Sequence, residues 1–450
     1  MRKLPLVVTA FTLAAGLVAG CSKNDSSSGA SPSVKPSQAA STAPSASASA
    51  SPSATPSPSA APVTLKLFHG KQEAQDTFNE IIQKFSAKYP NIKVTQEVVT
   101  NDPSAVLKSR IATNEIPDIF SAGIEVMDIA KGGYMADLTN EPYLKNIVDT
   151  SLKSLSFTDA SGKTWALPVD GSSIGIFYNK KMFADNGLTP PRTLSELKKV
   201  TDTFKSKNIP AFALGFKDSW TIKMAIISSF SPAVYGKNIN WDTDKNAGKT
   251  TFEATPGWAA AFNNLKTIYD TGNTKTAFDT DYNGAVAMFA QGQAAMMPQG
   301  LWALEPIRKI APTLDIGLIA MPTSEDPNDA KLHVFPDFSL SISSKSKYTA
   351  EAKKFLEFMT TPEIAQLWSN KARLFSAVKG VSTNFDPVAA DVEKTIAAGQ
   401  TVSQADRGWP SPFQPEFDKA ISEFLLGKRN VPDSLKQLDT AWTNAAKAAK

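Results

Sequence analysis

The chain has 450 residues, enough for two or three domains, and its 42% hydrophobic and 20% charged residues are typical of a soluble globular protein. A formal net charge of +4, with no run of Lys or Arg longer than two, argues against the clustered basic face of a nucleic-acid-binding protein. One cysteine, Cys21, and two histidines, His69 and His333, cannot supply a Cys/His zinc site, and a single cysteine excludes an internal disulfide. We expect no metal, no cofactor and no nucleic acid.

Residues 1–21 predict a lipoprotein signal peptide. Two basic residues at the start precede an apolar stretch over residues 4–19, which is short for a helix that must span a bilayer core of about 30 Å. Residues 17–21 (LVAGC) resemble a bacterial lipobox, in which small residues admit the peptidase and the cysteine receives lipid. We expect Cys21 to carry diacylglycerol and palmitate and to hold the protein on the extracytoplasmic side of the cell membrane. The alternative is an uncleaved anchor helix with an incidental cysteine.

Residues 22–62 predict a disordered linker. They are almost entirely Ser, Ala, Pro and Thr, with Val34 the only large aliphatic residue. Such a segment cannot bury enough apolar surface to offset the entropy of the chain, and its prolines favour extended conformations. We expect it to act as a spacer between the lipid and the folded part.

Folded structure is predicted from Val63 onward. Apolar and polar residues alternate over residues 63–67, as in a half-buried strand, and residues 92–95 predict a second strand. Between them, apolar residues at i, i+3, i+4, i+7 and i+11 predict an amphipathic helix: Phe78, Ile81, Ile82, Phe85 and Tyr89. This strand–helix–strand order favours a parallel α/β sheet.

Later elements repeat the mixture of helices and short strands. Thr193 and Glu196 form a possible capping box, and Pro362 and Pro432 stand near the starts of two further helical stripes. Short apolar segments lie between the helices, at residues 212–214, 294–297, 316–319 and 340–342. About 390 residues of this kind predict two α/β lobes.

Five parts of the chain carry recognisable motifs. The segments are 67–70 (LFHG); 116–120 (IPDIF) with 132–139 (GGYMADLT); 165–169 (WALPV) with 176–180 (IFYNK) and 187–197; 292–296 (GQAAM) with 300–304 (GLWAL); and 350–356 (AEAKKFL) with 361–363 (TPE). In these motifs and in their order, from Val63 toward the C-terminus, the chain resembles the family 1 extracellular solute-binding proteins of carbohydrate ABC importers.

The resemblance implies a two-lobed periplasmic-binding-protein-like fold of type II, in which the chain crosses between hinged lobes. Carried onto this sequence, residues 63–172 and 325–385 form lobe 1, and residues 176–322 and 393–450 form lobe 2. The crossings fall near 170–176, 319–324 and 378–392. Residues 335–338 (FPDF) depart from the family, which often has a Gly-rich turn there.

A sugar site needs aromatic side chains for the apolar faces of a pyranose. Trp302 follows Gly300 on a loop that leaves a strand, Trp220 follows polar residues 217–219, and Trp409 lies in a Pro-rich loop. We predict that all three line the cleft, although each has the alternative of a packing or surface role. Trp368 and Trp442 fit helix stripes and are predicted to be core residues.

The same site needs planar polar groups for the hydroxyls around the rim of the ring. Asp170 lies at the first crossing, and His69 and Glu73 flank the first strand–helix turn. Asp337 and Glu125 complete the predicted ligand-binding set. The alternative for these side chains is a local cap, turn or surface role.

The sequence thus predicts a lipid-anchored, monomeric binding protein that captures a carbohydrate and delivers it to the transmembrane permease subunits of an ABC importer. Three alternatives remain open. The same fold could bind a polyamine, a peptide or iron, although no two tyrosines are adjacent, as ferric sites of this fold tend to require. A secreted glycoside hydrolase would need two paired carboxylates, for which there is no local motif. A structural lipoprotein or adhesin would need no hinge.

Overall fold

The computed structural model describes residues 62–123, 125–154, 157–403, 408–410 and 412–448. The predicted signal peptide, Cys21 and the predicted linker up to residue 61 lie outside these ranges. No helix within the described residues is both long enough and apolar enough to cross a membrane.

The first strand and helix form where the spacing of apolar residues predicts them. Strand β1 (Val63–His69) lies parallel to β2 (Ile92–Val98), and helix α1 (Gln75–Lys88) connects them. The buried face of α1 carries Phe78, Ile81 and Phe85, which belong to the predicted stripe. The predicted strand–helix–strand opening is confirmed.

The remaining elements alternate helices with short strands. The other strands are β3 (Ile119–Phe120), β4 (Leu167–Pro168), β5 (Asp170–Asn179), β6 (Met296–Gly300), β7 (Ile316–Ile319), β8 (Leu332–Pro336), β9 (Ser339–Ile342), β10 (Phe375–Ser376) and β11 (Thr401–Ser403). The other helices are α2 (Pro103–Ala112), α3 (Val126–Lys131), α4 (Asp149–Leu152), α5 (Lys180–Asp185), α6 (Leu194–Ser206), α7 (Trp220–Phe230), α8 (Trp241–Asn246), α9 (Pro256–Thr271), α10 (Tyr282–Ala290), α11 (Leu304–Ile310), α12 (Thr349–Met359), α13 (Pro362–Ala372), α14 (Pro387–Ala397), α15 (Phe413–Leu425) and α16 (Val431–Ala448).

Local signals set several of these boundaries. The capping box at the start of α6 is complete, because Thr193 accepts from the backbone of Glu196 and the Glu196 carboxylate accepts from the Thr193 backbone. Helix α13 begins at Pro362, where a missing N–H costs no helical bond. Residues 212–214 form only a bridge at Phe212 instead of a strand, because Asn273 bonds the backbone N–H and C=O of Leu214 through its side chain.

Two sheets organise the described part of the chain. Sheet 1 has the order β2-β1-β3-β9-β4, and sheet 2 is built on β5. Strands β10 and β6 pair in succession along one edge of β5, and β8 and β7 pair along the other, with β11 outside β8. The predicted mixed α/β class with two sheets is confirmed.

The chain passes between the sheets at adjacent points. It leaves sheet 1 after β4 and enters sheet 2 at Asp170, the first residue of the predicted crossing at 170–176. It returns to sheet 1 between β8 and β9, at residues 337 and 338, and not at the predicted 319–324. The reason is that β8, which lies within the segment predicted for lobe 1, pairs with β5. Helix α14, which overlaps the third predicted crossing, packs against β7 of sheet 2. The lobe boundaries stay predictions.

Large aromatic side chains fill the interior beside sheet 2. Trp241, Trp258 and Trp442 are fully or almost fully buried, and the ring centroids of Trp241 and Trp258 lie 5.3 Å apart. Trp442 and Trp368 are 2% and 1% exposed, so both predicted core tryptophans are confirmed.

Substitution of Gly175 by alanine should lower the free energy of unfolding by about 1–3 kcal/mol, because overpacking displaces neighbours. A Cβ at this position in the middle of β5 would lie 2.5 Å from the carbonyl oxygen of Ile319 and would meet the Leu332 side chain. Urea unfolding measures the change. The matched control is Gly171→Ala on the same strand, where a Cβ would come no closer than 3.4 Å to a neighbour. Equal effects of the two substitutions would contradict this account of β5.

Candidate functional site

Two tryptophans from sheet 2 and its helices lie together. Trp302 sits in the short turn after β6, and its indole N–H donates to Gln299 Oε1 at 3.1 Å. Its ring lies over Gly300, where any Cβ would overlap ring atoms. Trp220 begins α7, and the two indole centroids are 6.4 Å apart. The two leading aromatic candidates are therefore neighbours, and Gly300 fixes the position of one of them.

Tyr282 is a third aromatic residue in this group, and sequence reasoning missed it. It begins α10, its ring centroid lies 5.1 Å from that of Trp220, and its backbone N–H donates to Asp218. The side chain is 2% exposed, and its hydroxyl has no hydrogen-bond partner among the described residues. A buried hydroxyl without a partner is costly, so this group has an unused capacity to bond a ligand.

A buried charge cluster lies at the first strand–helix turn. The Lys71 ammonium is 2.6 Å from Asp337 and 3.7 Å from Glu73. Asp337 belongs to the connection between β8 and β9, two residues after Phe335, whose ring centroid is 6.4 Å from that of Trp302. The cluster therefore joins sheet 1 to the segment that runs beside the tryptophans.

Burial and charge shift the pKa values of this cluster. Burial alone would lower the pKa of Lys71, but the carboxylates of Asp337, Asp170 and Glu73 raise it above its usual value, so the ammonium stays charged. Burial raises the pKa of Glu73, and Lys71 opposes this shift only in part.

Glu305 and Lys309 on α11 face the same region. Glu305 is 3.0 Å from Lys309, whose ammonium is also 3.4 Å from Asp76 on α1. Burial raises the pKa of the Tyr282 hydroxyl, and the negative charges of Glu73 and Glu305 add to this shift. The two ion pairs of Lys309 bring Glu305 close to the start of α1, just after the turn that carries Glu73.

Asp170 lies where the crossings meet and is fully buried. Its Oδ1 accepts from the Phe338 backbone at 3.0 Å, and its Oδ2 accepts from the Trp368 indole at 2.8 Å. Burial raises its pKa to about 7, an effect that Lys71 reduces and Asp337 increases. Both oxygens are bonded within the protein, so the structure gives Asp170 a role in joining the crossings. Its predicted place in the ligand site has no support from this arrangement.

His69 is also fully buried, beneath the charge cluster. Its Nδ1 accepts from the Lys71 backbone at 3.2 Å, which leaves Nε2 to donate to Gln96 Oε1 at 3.0 Å. Burial lowers its pKa to about 4, despite the bond to Gln96, and the charge of Lys71 lowers it further. The neutral ring supports the turn that carries Lys71 and Glu73. Direct contact between His69 and a ligand stays a prediction.

Two predicted site residues lie in other surroundings. Trp409 packs in the aromatic interior, where its indole donates to the Tyr235 hydroxyl at 2.8 Å and its ring stacks on Phe230. Glu125 accepts from Ser104 and lies 3.9 Å from Lys108, between α2 and α3. The structure therefore brings together Trp302, Trp220, Glu73 and Asp337 from the predicted set and adds Tyr282 and Glu305.

A separate cavity of about 480 Å³ lies between α8, the start of α9 and the loop after β7. Its polar lining groups are largely bonded to one another: Lys237 pairs with Asp329, which also accepts from Ser324, and Thr250 bonds Thr255. The tryptophan cluster offers aromatic faces together with a free hydroxyl and buried charges, so it is the stronger candidate site.

The chain is similar to known proteins over most of its length. A family model described as bacterial extracellular solute-binding protein matches residues 70–366. The multiple sugar-binding protein of Streptococcus mutans serotype c (strain ATCC 700610 / UA159) is 28% identical over 396 residues, which cover 86% of this chain and 91% of that protein. The melibiose/raffinose/stachyose-binding protein MelE of Bacillus subtilis (strain 168) is 24% identical over 320 residues, 69% of this chain and 72% of that protein.

Solved structures share the fold. The solute-binding protein RafE in complex with raffinose has a TM-score of 0.73 at 24% identity and covers 85% of this chain and 99% of that one. A sugar transporter from Bacillus licheniformis in complex with stachyose has a TM-score of 0.73 at 19% identity, with 85% and 100% covered. The predicted two-lobed periplasmic-binding-protein-like α/β fold is confirmed.

The pKa of His69 predicts acid sensitivity. Because the folded-state pKa is about 4 and the ordinary value is 6.5, the unfolded chain binds more protons between these values. The neutral His69 ring therefore makes its full contribution to the free energy of unfolding above about pH 6.5. This contribution is lost as the pH falls toward 4, by about 3 kcal/mol over the whole window. Urea unfolding of the wild type and His69→Gln at pH 7, 6, 5 and 4.5 measures the difference. Other titrating groups are shared by both proteins, so an equal loss of stability on acidification would contradict the prediction.

Proposed function

The chain belongs to the bacterial extracellular solute-binding proteins, and from this premise we propose that it captures a sugar or oligosaccharide and delivers it to an ABC importer. The observation that carries the proposal is the pair Trp220 and Trp302 beside the free hydroxyl of Tyr282. Aromatic faces match the C–H faces of a pyranose, and the hydroxyl and carboxylates match its polar rim. The names of the relatives in Streptococcus mutans and Bacillus subtilis support the same ligand class.

Closure of two lobes around the ligand is the proposed mechanism. Lys71 and Glu73 come from the turn after β1 in sheet 1, whereas Trp220, Tyr282 and Trp302 come from elements beside sheet 2. A ligand that bonds both groups is bound better by the closed form and shifts the population toward it. The closed form then presents both lobes to the permease subunits.

The proposed location follows from the family and the N-terminal sequence. The family is extracellular, and the lipobox-like residues 17–21 support attachment through a lipid on Cys21. The Ser/Ala/Pro-rich residues 22–62 support a spacer that lets the binding domain stand away from the membrane. We propose that the protein acts there as a monomer.

Two other functions fit parts of the site less well. A polyamine would suit acidic groups between aromatic rings, but the relatives named above bind sugars. A glycoside hydrolase would release product over time, whereas a member of a family of binding proteins is expected to take up ligand stoichiometrically without turnover. We therefore propose binding without catalysis.

Thermal unfolding against a panel of mono- and oligosaccharides tests the proposed function. Residues 58–450, which form one compact unit, are suitable for the measurement. A sugar at 100 times its dissociation constant should stabilise the native state by about 2.7 kcal/mol and raise the melting temperature. The panel should include raffinose, stachyose and maltotriose, with spermidine as the polyamine control. A shift with spermidine and with no sugar would sink the proposal.

Trp302→Ala and Trp220→Ala should each weaken sugar binding by about 1–3 kcal/mol, because stacking and buried apolar area are lost. Isothermal titration calorimetry measures the change. Trp165→Ala is the matched control, since this partly buried tryptophan lies in another part of the protein and bonds Asp159. Wild-type affinity in both site variants would show that these rings are not the platforms.

A further inference from the structure

Two carboxyls near the tryptophan site come from different sheets. Glu73 follows β1 of sheet 1, and Glu305 lies on α11 beside sheet 2. Their side chains are only 12% and 14% exposed, so water screens their charges weakly. Lys309 joins the two sides, because its ammonium is 3.0 Å from Glu305, three residues after Trp302, and 3.4 Å from Asp76, three residues after Glu73.

The charge of Lys71 is largely used within the protein. Its ammonium is closer to Asp337, at 2.6 Å, than to Glu73, at 3.7 Å. Lys309, the partner of Glu305, has a side chain that is 58% exposed and is shared with Asp76. An anion that entered the site would therefore meet two carboxyls without a free ammonium to receive it.

The hydroxyl of Tyr282 is an independent observation that points to a ligand. The group is buried, has no partner among the described residues, and belongs to a ring that lies 5.1 Å from that of Trp220. Carboxylates only accept hydrogen bonds, whereas a sugar hydroxyl both donates and accepts. A sugar hydroxyl can therefore donate to a carboxylate and accept from Tyr282, but an anionic group can do only the second.

We propose that the site selects neutral or cationic saccharides and rejects those with a carboxylate, sulfate or phosphate group, and that Glu73 and Glu305 make this selection. The inference rests on the sugar capture proposed above and adds the substrate class. Tyr282 supplies a hydrogen bond that any of these saccharides can use, so the discrimination comes from the two glutamates.

The size of the effect follows from like charges at short range. Juxtaposed charges of the same sign in a weakly hydrated interface are among the strongest sources of discrimination between ligands. We expect an anionic derivative to bind at least about 100-fold more weakly than its neutral parent. Removal of the charge of either glutamate should reduce the ratio of the two dissociation constants by about tenfold or more.

The experiment compares matched ligands by isothermal titration calorimetry on residues 58–450. The neutral probes are raffinose, stachyose and maltotriose. Each is paired with a derivative whose terminal C6 hydroxyl is oxidised to a carboxylate and with the corresponding C6 carboxamide, which has the same shape without the charge. The proteins are the wild type, Glu73→Gln, Glu305→Gln and the control Glu363→Gln, whose side chain on α13 is 75% exposed.

In the wild type, the carboxamide should bind within about tenfold of its parent and the carboxylate should bind at least 100-fold more weakly. Glu73→Gln and Glu305→Gln should narrow the gap between carboxamide and carboxylate, and Glu363→Gln should leave it unchanged. Equal binding of carboxylate and carboxamide to the wild type, or an unchanged gap in both site variants, would overturn the charge selection while sugar capture stands. If none of the neutral or oxidised sugars binds, sugar capture itself fails.

Discussion

The buried ammonium of Lys71 is the interaction on which the site depends. A charged group away from water is stable only when carboxylates surround it, and Asp337, Glu73 and Asp170 do so here. Lys71 belongs to the turn after β1, whereas Asp337 lies where the chain returns from sheet 2 to sheet 1. The ion pair therefore fixes the first strand–helix turn against a crossing, and loss of Lys71 would leave buried carboxyls without their cation.

Aromatic and charged groups have different roles in the proposed recognition of a sugar. Trp302 is fixed by Gly300 beneath its ring and by Gln299 at its indole nitrogen, so it offers a face in a set position. A rigid face costs little conformational entropy on binding but distinguishes poorly between one sugar and another. The carboxyls and the Tyr282 hydroxyl supply direction and charge, and they are therefore the groups that distinguish sugars.

Much of the fold can be predicted from the sequence, because buried apolar residues recur with the period of the helix or strand that carries them. The stripe on α1, the capping box of α6 and the apolar segment of β7 are all recognisable in the sequence. Polar groups in the site were harder to assign, because their roles depend on partners far away in the chain. Asp170 is bonded by Trp368, and His69 by Gln96, and neither pairing is visible in the sequence. Tyr282 begins an apolar helix and resembles a core residue until its hydroxyl is seen to lack a partner.

The position of β5 at the centre of sheet 2 has a consequence for how the protein reaches its folded state. All of its pairing strands follow it in the chain, and the earliest of them, β6, begins at Met296. When the N-terminal part emerges first, β1, β2 and β3 can pair with one another. Strand β5 has no pairing strand until β6 has emerged, so both of its edges stay unpaired. Its first six residues, DGSSIG, interrupt the apolar run with small and polar groups, which lowers the tendency of an unpaired strand to join another copy. The central strand of sheet 2 thus has a composition that disfavours pairing with another copy of the chain before β6 is available.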